Sequence, residues 1–173
     1  MRRVVVTGMG MVSPLSNSVQ GTWDKLIAGK SGLRKTAGFD VSDITSKVSG
    51  QVVRKEYGFA DVSENDVFDP LKYLDEKELK KYDSFIWYAV AATEEAVKDA
   101  GLRESGVDFS TIGTVIGSGI GGLDRIYDNA VALHEKGPRR VSPFFITSCL
   151  INLAAGLVSI KFGFNGPNMS VVT

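Results

Sequence analysis

The residues of this sequence that could carry chemistry are few, and the most regular of them form a glycine-rich segment. Gly117-Ser-Gly-Ile-Gly-Gly122, called the glycine loop below, matches the G-x-G-x-x-G spacing of dinucleotide-binding loops. Such loops also need an acidic residue about 20 positions later, at the end of the next strand. Glu135 has that spacing but falls in a helical pattern. We therefore favour a loop that lets the backbone approach a substrate or another subunit over a nucleotide site.

The single cysteine and the single histidine do not form a catalytic pair or a metal site in this pattern. Cys149 lies in the most apolar segment of the chain, where burial raises the pKa of a thiol, so we expect a structural cysteine. His134 lies at the polar end of a predicted helix and is expected to be exposed and inert. A metal site needs clustered ligands, which one histidine and one cysteine do not supply. If the protein is an enzyme, its chemistry lies elsewhere.

Three lysines form a possible binding patch. Lys77, Lys80 and Lys81 fall at i, i+3 and i+4, so a helix places them on one face. They stand within residues 61–100, which carry a net charge of −6. From composition alone, the favoured interpretation is a solvated face whose lysines pair with the acidic residues at 75–78.

The elements that must position these residues alternate between strands and helices. Short β-branched runs predict buried, mostly parallel strands at residues 3–7, 111–116 and 168–173. Helical patterns are predicted at residues 22–28, at 75–100 in two pieces, from the glycine loop to about 136, and at 142–163. Gly8-Met-Gly10, after the first run, is interpreted as a tight turn. This order of elements predicts an α/β domain. A chain that stops in a buried strand also suggests a fragment.

Composition narrows the function classes. The 173 residues include 20 Lys and Arg against 20 Asp and Glu, and 43% are hydrophobic, as in ordinary globular domains. The balanced charge argues against a general nucleic-acid binder. One cysteine and no signal-peptide pattern favour the cytoplasm. Polar residues within the apolar stretch 143–162 favour a buried helix over a membrane span.

Six segments, in order along the chain, carry a family resemblance. They are Arg2-Arg-Val-Val-Val-Thr-Gly-Met-Gly-Met-Val-Ser-Pro14, Trp23 with Gly29-Lys-Ser-Gly32, Lys80-Lys-Tyr-Asp-Ser-Phe85, the glycine loop, Ser142-Pro-Phe-Phe145, and Gly166-Pro167 leading to Ser170. Together they resemble the N-terminal part of the elongating β-ketoacyl-acyl carrier protein synthases, of the 3-oxoacyl-ACP synthase II type. The resemblance implies a thiolase-like α/β fold, of which this chain is the incomplete N-terminal half with a mixed, largely parallel sheet. Residues 1–173 then belong to one condensing-enzyme domain, with an excursion at about 31–83.

The resemblance also implies roles for particular residues. Ile120 and Phe145 match acyl-pocket residues, and Phe145 matches one that reaches across a dimer interface. Lys77, Lys80 and Lys81 match a basic patch that docks the acidic carrier protein, which reverses the interpretation favoured by composition. The family's nucleophilic cysteine is expected two positions beyond Thr173, so the chain itself has no catalytic residue and is expected to be inactive alone.

The implied activity is that of an acyltransferase of fatty-acid biosynthesis. Acyl-loaded and malonyl-loaded carrier proteins are condensed with loss of CO₂, without a cofactor or metal, by a homodimer. Two alternatives stay open. One is a non-catalytic, chain-length-factor-like partner that keeps the pocket and has lost the nucleophile, and the other is a nucleotide-binding module built on the glycine loop.

Overall fold

A computed structural model describes residues 2–172, which divide into two compact units. One unit comprises the residues up to Asp69 together with Ala91–Leu102. The other comprises Pro70–Val90 and the residues from Arg103 onward. Met1 and Thr173, the last residue of the strand predicted at 168–173, lie outside the described residues.

The described residues form six α-helices and four short strands, joined by loops and 3₁₀ turns. The helices are α1 (Val19–Ile27), α2 (Glu76–Lys81), α3 (Ser84–Asp99), α4 (Leu123–Lys136), α5 (Phe145–Cys149) and α6 (Asn152–Phe162). The strands are β1 (Leu33–Lys35), β2 (Val48–Gly50), β3 (Thr114–Gly117) and β4 (Asn168–Val171). β1 and β2 are antiparallel, whereas β3 and β4 are parallel, with Thr114 opposite Asn168.

The predicted strand at residues 3–7 is wrong for the described structure. No strand forms there, and Val4 and Val6 are 96% and 80% exposed. A strand is stable only when its backbone groups pair with a neighbour, and no described segment pairs with this one. The next residues lie against α3 instead of forming a tight turn. A Cβ added at Gly10 would overlap the Ala92 carbonyl, and the backbone N–H of Met11 donates to a Glu95 carboxylate oxygen at 2.8 Å.

The helix predicted at residues 22–28 begins earlier than expected. Ser18 caps α1 by accepting a hydrogen bond from the Gly21 N–H. Thr22 is therefore not the N-cap but a buried residue within the helix, where its hydroxyl lies 2.9 Å from that of Ser13. The predicted end at Gly29 is confirmed, since its φ of +65° suits glycine.

The core of the second unit lies between the β3–β4 sheet and α6. Five apolar side chains of α6 are buried: Ala154, Ala155, Leu157, Val158 and Phe162. The other face of the sheet remains open. Met169 is 57% exposed and Val171 is 46% exposed, so the prediction that this strand is buried is wrong for the described residues.

The apolar stretch predicted as one helix is divided into α5 and α6. Leu150 between them is extended, with ψ of 136°. The Cys149 carbonyl accepts a hydrogen bond from the Gly122 N–H at 3.0 Å instead of continuing the helix. The predicted stop at Gly163 is confirmed by its φ of +75°. Among residues 2–172, no helix has the length and apolar character needed to cross a bilayer.

Candidate functional site

The glycine loop follows β3 and ends at the start of α4, as predicted. Three of its six backbone N–H groups are shown with acceptors inside the protein. Ser118 N donates to Val171 O, Gly121 N to the Ser118 hydroxyl, and Gly122 N to Cys149 O. A phosphate cradle needs several free N–H groups pointing at one anion. The loop geometry therefore does not favour the nucleotide-binding interpretation.

Two glycines of the loop are needed for close approach to α5. Gly121 has φ of +81°, and a Cβ there would overlap the Cys149 carbonyl. A Cβ at Gly122 would lie 2.6 Å from Ser148 O and 2.9 Å from the Asp83 Cβ. Gly119 differs from these two glycines, because a Cβ added there would meet no atom within 4 Å. The loop is thus packed at one end and free at its tip.

The two residues matched to an acyl pocket lie on the two segments that this packing joins. Ile120 is at the tip of the glycine loop and is 62% exposed. Phe145 is the first residue of α5 and is half-buried. The hydrogen bond from Gly122 to Cys149 connects the loop with the end of α5. Their roles in acyl binding remain predictions.

Cys149 is buried, as expected from its apolar surroundings. Its side chain is 6% exposed, and its Sγ lies 3.7 Å from the Ile146 carbonyl. Burial raises the pKa of the thiol, and the negative charge of Asp83 raises this pKa further. These surroundings hold Cys149 as a neutral thiol. His134 is exposed on α4, also as expected.

A buried carboxylate that the sequence analysis missed lies at the centre of the second unit. Asp83 is 5% exposed. It accepts hydrogen bonds from the Ser84 hydroxyl at 3.1 Å, the Phe85 N–H at 3.4 Å and the Arg125 N–H at 3.2 Å. It therefore serves the first turns of both α3 and α4, whose N–H groups lack helical acceptors. The only signal for it in the sequence is an aspartate directly before a helix.

The three predicted patch lysines all lie on α2, but in two kinds of surroundings. Lys77 and Lys80 are exposed. Lys81 is half-buried, with its ammonium 5.6 Å from the centre of the Phe144 ring, a cation–π contact. Of the three lysines, Lys81 thus also links α2 to the residue before Phe145.

The nearby carboxylates that could have neutralised these lysines are engaged elsewhere. Asp75 caps α2, and hydrogen bonds from the backbone of Glu78 and Lys77 lower the pKa of its carboxyl. Glu78 accepts from the Asp75 N–H and lies 3.8 Å from Lys161. No ion pair among residues 2–172 joins the α2 lysines to these two carboxylates. The positive charges of Lys77 and Lys81 also lower the pKa of the Asp75 carboxyl, so this face is not free of its own acidic residues and its role in docking stays a prediction.

A cleft of 470 Å³ in the first unit is also lined by charged residues, but two of its three cations, Lys25 and Arg34, are used internally. Lys25 lies 2.5 Å from Asp66 and donates to the Leu15 carbonyl. Arg34 donates to the Pro14 carbonyl at 3.0 Å. These contacts explain Lys25 and Arg34 by the packing of the unit itself.

Comparison with known protein families identifies the family to which this chain belongs. The family model described as the N-terminal domain of beta-ketoacyl synthase matches residues 1–173. This chain belongs to the beta-ketoacyl synthase family. The six segments of the sequence analysis had indicated this family, and the assignment is confirmed.

Two curated relatives of this beta-ketoacyl synthase chain share one name. It is 47% identical over 174 residues to 3-oxoacyl-[acyl-carrier-protein] synthase 2 of Rhizobium meliloti, covering 100% of this chain and 40% of the relative. It is 42% identical over 172 residues to the synthase of the same name from Coxiella burnetii, covering 99% of this chain and 38% of the relative. The chain thus spans about 40% of the length of these relatives.

Solved structures place the beta-ketoacyl synthase chain in the predicted thiolase-like fold. The ishigamide ketosynthase/chain length factor matches with a TM-score of 0.83 at 24% identity, over 99% of this chain and 40% of its own. A type II polyketide ketosynthase, bound to a hexaketide and in complex with its acyl-carrier protein, matches with a TM-score of 0.71. That second match has 26% identity and covers 99% of this chain and 41% of the other.

Proposed function

We propose that this chain is the N-terminal portion of a 3-oxoacyl-[acyl-carrier-protein] synthase of fatty-acid elongation. The observation that carries the proposal is the 47% identity to such a synthase across the full length of the chain. The packing of the glycine loop against α5, through Gly122 and Cys149, agrees with it. A loop with three of its six N–H groups bonded inside the protein leaves fewer donors for a phosphate and suits an apolar pocket better.

The proposed reaction has two half-steps. A cysteine thiolate, expected two positions after Thr173, attacks the thioester of an acyl-loaded carrier protein. This forms an acyl-cysteine thioester and releases the carrier thiol. Malonyl-loaded carrier protein then loses CO₂, and the resulting carbanion attacks the acyl carbonyl. The new carbon–carbon bond gives a 3-oxoacyl carrier protein, and the enzyme cysteine leaves as thiolate.

Within this proposal, the described residues bind and position substrates. Ile120 and Phe145 line the acyl pocket, where apolar contact holds the chain while its thioester reacts. Lys77 and Lys80, both exposed, with Lys81 beside them, attract the acidic carrier protein. Long-range attraction of this kind speeds encounter while leaving the complex weak enough for the carrier to depart.

Reading the gene beyond the codon for Thr173 and assaying the complete product tests the proposal. We expect a cysteine at the second position, condensation of acyl- and malonyl-loaded carrier proteins, and loss of condensation when that cysteine is replaced by alanine. Another residue at that position would remove the catalytic assignment. If carrier binding persisted in that case, the chain-length-factor-like partner would be the better account.

We also propose that the complete protein is a cytoplasmic homodimer. The half-buried Phe145 at the start of α5 suits a residue completed by a second subunit, and the exposed face of β3 and β4 carries apolar Val115, Met169 and Val171. Sedimentation equilibrium of the complete protein checks the dimer, and fractionation of cells checks the location. A monomer at micromolar concentration would contradict the proposed homodimer and the role of Phe145 in the partner's pocket.

A further inference from the structure

A small cleft beside α2 combines an apolar floor with unpaired positive charge. It has a volume of 320 Å³ and lies within the second unit. Leu71 and Leu79 form its apolar part, and Glu76, Lys80 and Arg125 complete its lining. Leu71 is 56% exposed although it is a large apolar residue.

Both cations of this cleft are available to a ligand. Lys80 is exposed and has no ion pair with any residue in the range 2–172. Arg125 donates one hydrogen bond from its guanidinium, to the Leu79 carbonyl at 3.3 Å, and has no carboxylate partner in the same range. A guanidinium has five N–H donors, so most of them remain free for an acceptor.

The hydrogen bond to Leu79 also fixes the geometry of the cleft. It attaches the side chain of Arg125, on α4, to the backbone of α2. The backbone N–H of the same arginine is bound to the buried Asp83. Arg125 is thus held at both ends, which reduces the entropy lost when its remaining donors meet a partner.

We propose that this cleft is the apolar anchor site for the carrier protein. An amphipathic helix of the carrier inserts one apolar side chain between Leu71 and Leu79. Acidic residues one turn away on that helix pair with Lys80 and Arg125, and Glu76 on the wall disfavours the reversed orientation. The inference rests on the proposed function and adds to it the place where the carrier is held by apolar contact, beside the lysine patch assigned from the sequence, with which the cleft shares Lys80.

Charge and shape favour this occupant over a lipid or a small anion. A small anion would use Lys80 and Arg125 but leave Leu71 exposed. A flat anionic membrane would bring negative charge onto Glu76 as well as onto the cations, whereas a helix can place its few acidic side chains away from Glu76. An acidic helix uses both features at once, because its charged and apolar side chains recur at a spacing of three or four residues.

Binding of the purified carrier protein to the complete synthase tests the site. Leu71→Ser should weaken binding about tenfold, since an anchor residue of an interface contributes disproportionately to affinity. The loss should be the same at low and high salt because apolar contact is not screened. Arg125→Gln should weaken binding mainly at low salt, and Arg125→Lys should restore part of the loss.

Leu26→Ser is the matched control, because Leu26 is 54% exposed on α1 and lies outside the cleft. Carrier binding that is unchanged in Leu71→Ser, while the wild type binds normally, would overturn the anchor site and leave the proposed function standing. A wild type that does not bind the carrier would overturn both. Binding of lipid vesicles or inorganic phosphate that is abolished by Leu71→Ser, with carrier binding intact, would assign the cleft to another ligand.

Discussion

The backbone N–H of Gly122 donates a 3.0 Å hydrogen bond to the carbonyl oxygen of Cys149. This bond joins the glycine loop to the last residue of α5. It also ends α5, because the Cys149 carbonyl accepts from the loop instead of from the next helical turn. This backbone contact thus helps to position the two segments that carry Ile120 and Phe145.

Gly122→Ala should destabilise the protein by about 1–3 kcal/mol, the usual cost of overpacking. The new Cβ would lie 2.6 Å from Ser148 O and 2.9 Å from the Cys149 Cα, and both are backbone atoms that cannot move alone. Urea unfolding measures the change. Gly119→Ala is the control, since its Cβ meets nothing within 4 Å. Equal stability of the two variants would show that the close approach is not required.

Removing the buried carboxylate should also cost stability. Asp83→Ala leaves the N–H groups of Phe85 and Arg125 without their acceptor, so we expect a loss of about 1–3 kcal/mol in urea unfolding. The stability of Asp83→Asn should fall between those of the wild type and Asp83→Ala, because an amide keeps one acceptor oxygen. Asp128→Ala, at an exposed position of α4, should change stability by less than about 0.5 kcal/mol. If Asp83→Ala left the free energy of unfolding unchanged, this would show that water replaces the carboxylate.

The sequence predicted helices well because their signals are local. The spacing of apolar residues and the glycines that follow α3 and α6, at 101 and 163, act within one or two turns. It predicted the strand at residues 3–7 wrongly, because a strand depends on a partner that local pattern does not reveal. The break at Leu150 was missed for the same reason, since it depends on a hydrogen bond from the distant Gly122.

The residues of the candidate site also differ in whether a local sequence pattern indicates them. Family motifs located Ile120, Phe145 and the α2 lysines, because those motifs are continuous in sequence. The buried role of Asp83 and the cleft at Arg125 arise where α2, α3 and α4 come together. Such sites are built by tertiary contacts, so no periodicity or spacing in the chain indicates them.

Cys149 should react slowly with iodoacetamide in the native protein. Burial raises the pKa of its thiol, so at about pH 8 the thiolate fraction is below that of a free cysteine. The alkylation rate should rise with pH as the thiol ionises. In urea the rate should increase at least about a hundredfold, because the reaction then no longer requires local opening of the folded protein. Peptide mass spectrometry quantifies the modified residue. Native and unfolded rates that agree would contradict the burial of Cys149.

Ile120→Phe should change which acyl chains the complete synthase accepts. If Ile120 lines the acyl pocket, a larger side chain shortens the available space, and kcat/KM should fall more for long acyl chains than for short ones. The size of the effect is about tenfold or more for each methylene group that no longer fits. Ile160→Phe is the control, on an 80% exposed residue of α6. An equal fall for all chain lengths would remove Ile120 from the pocket.

Removing charge from α2 should weaken carrier binding in a manner that depends on salt. Lys77 and Lys80 are exposed, and Asp75 and Glu78 of the same segment are engaged in the capping box of α2. Lys77→Gln with Lys80→Gln should reduce the affinity several-fold at about 50 mM salt and much less at about 300 mM, where the Debye length is shorter. The association rate should carry most of the change, because attraction between exposed charges acts before contact.

Titration calorimetry and stopped-flow binding at the two salt concentrations give both quantities. Lys98→Gln serves as the control, because Lys98 is an exposed lysine in the last turn of α3 and outside the patch. If the double variant lost as much affinity at high salt as at low salt, the lysines would act through packing and not through charge. A loss confined to the dissociation rate would lead to the same conclusion, since steering by exposed charge changes encounter before it changes release.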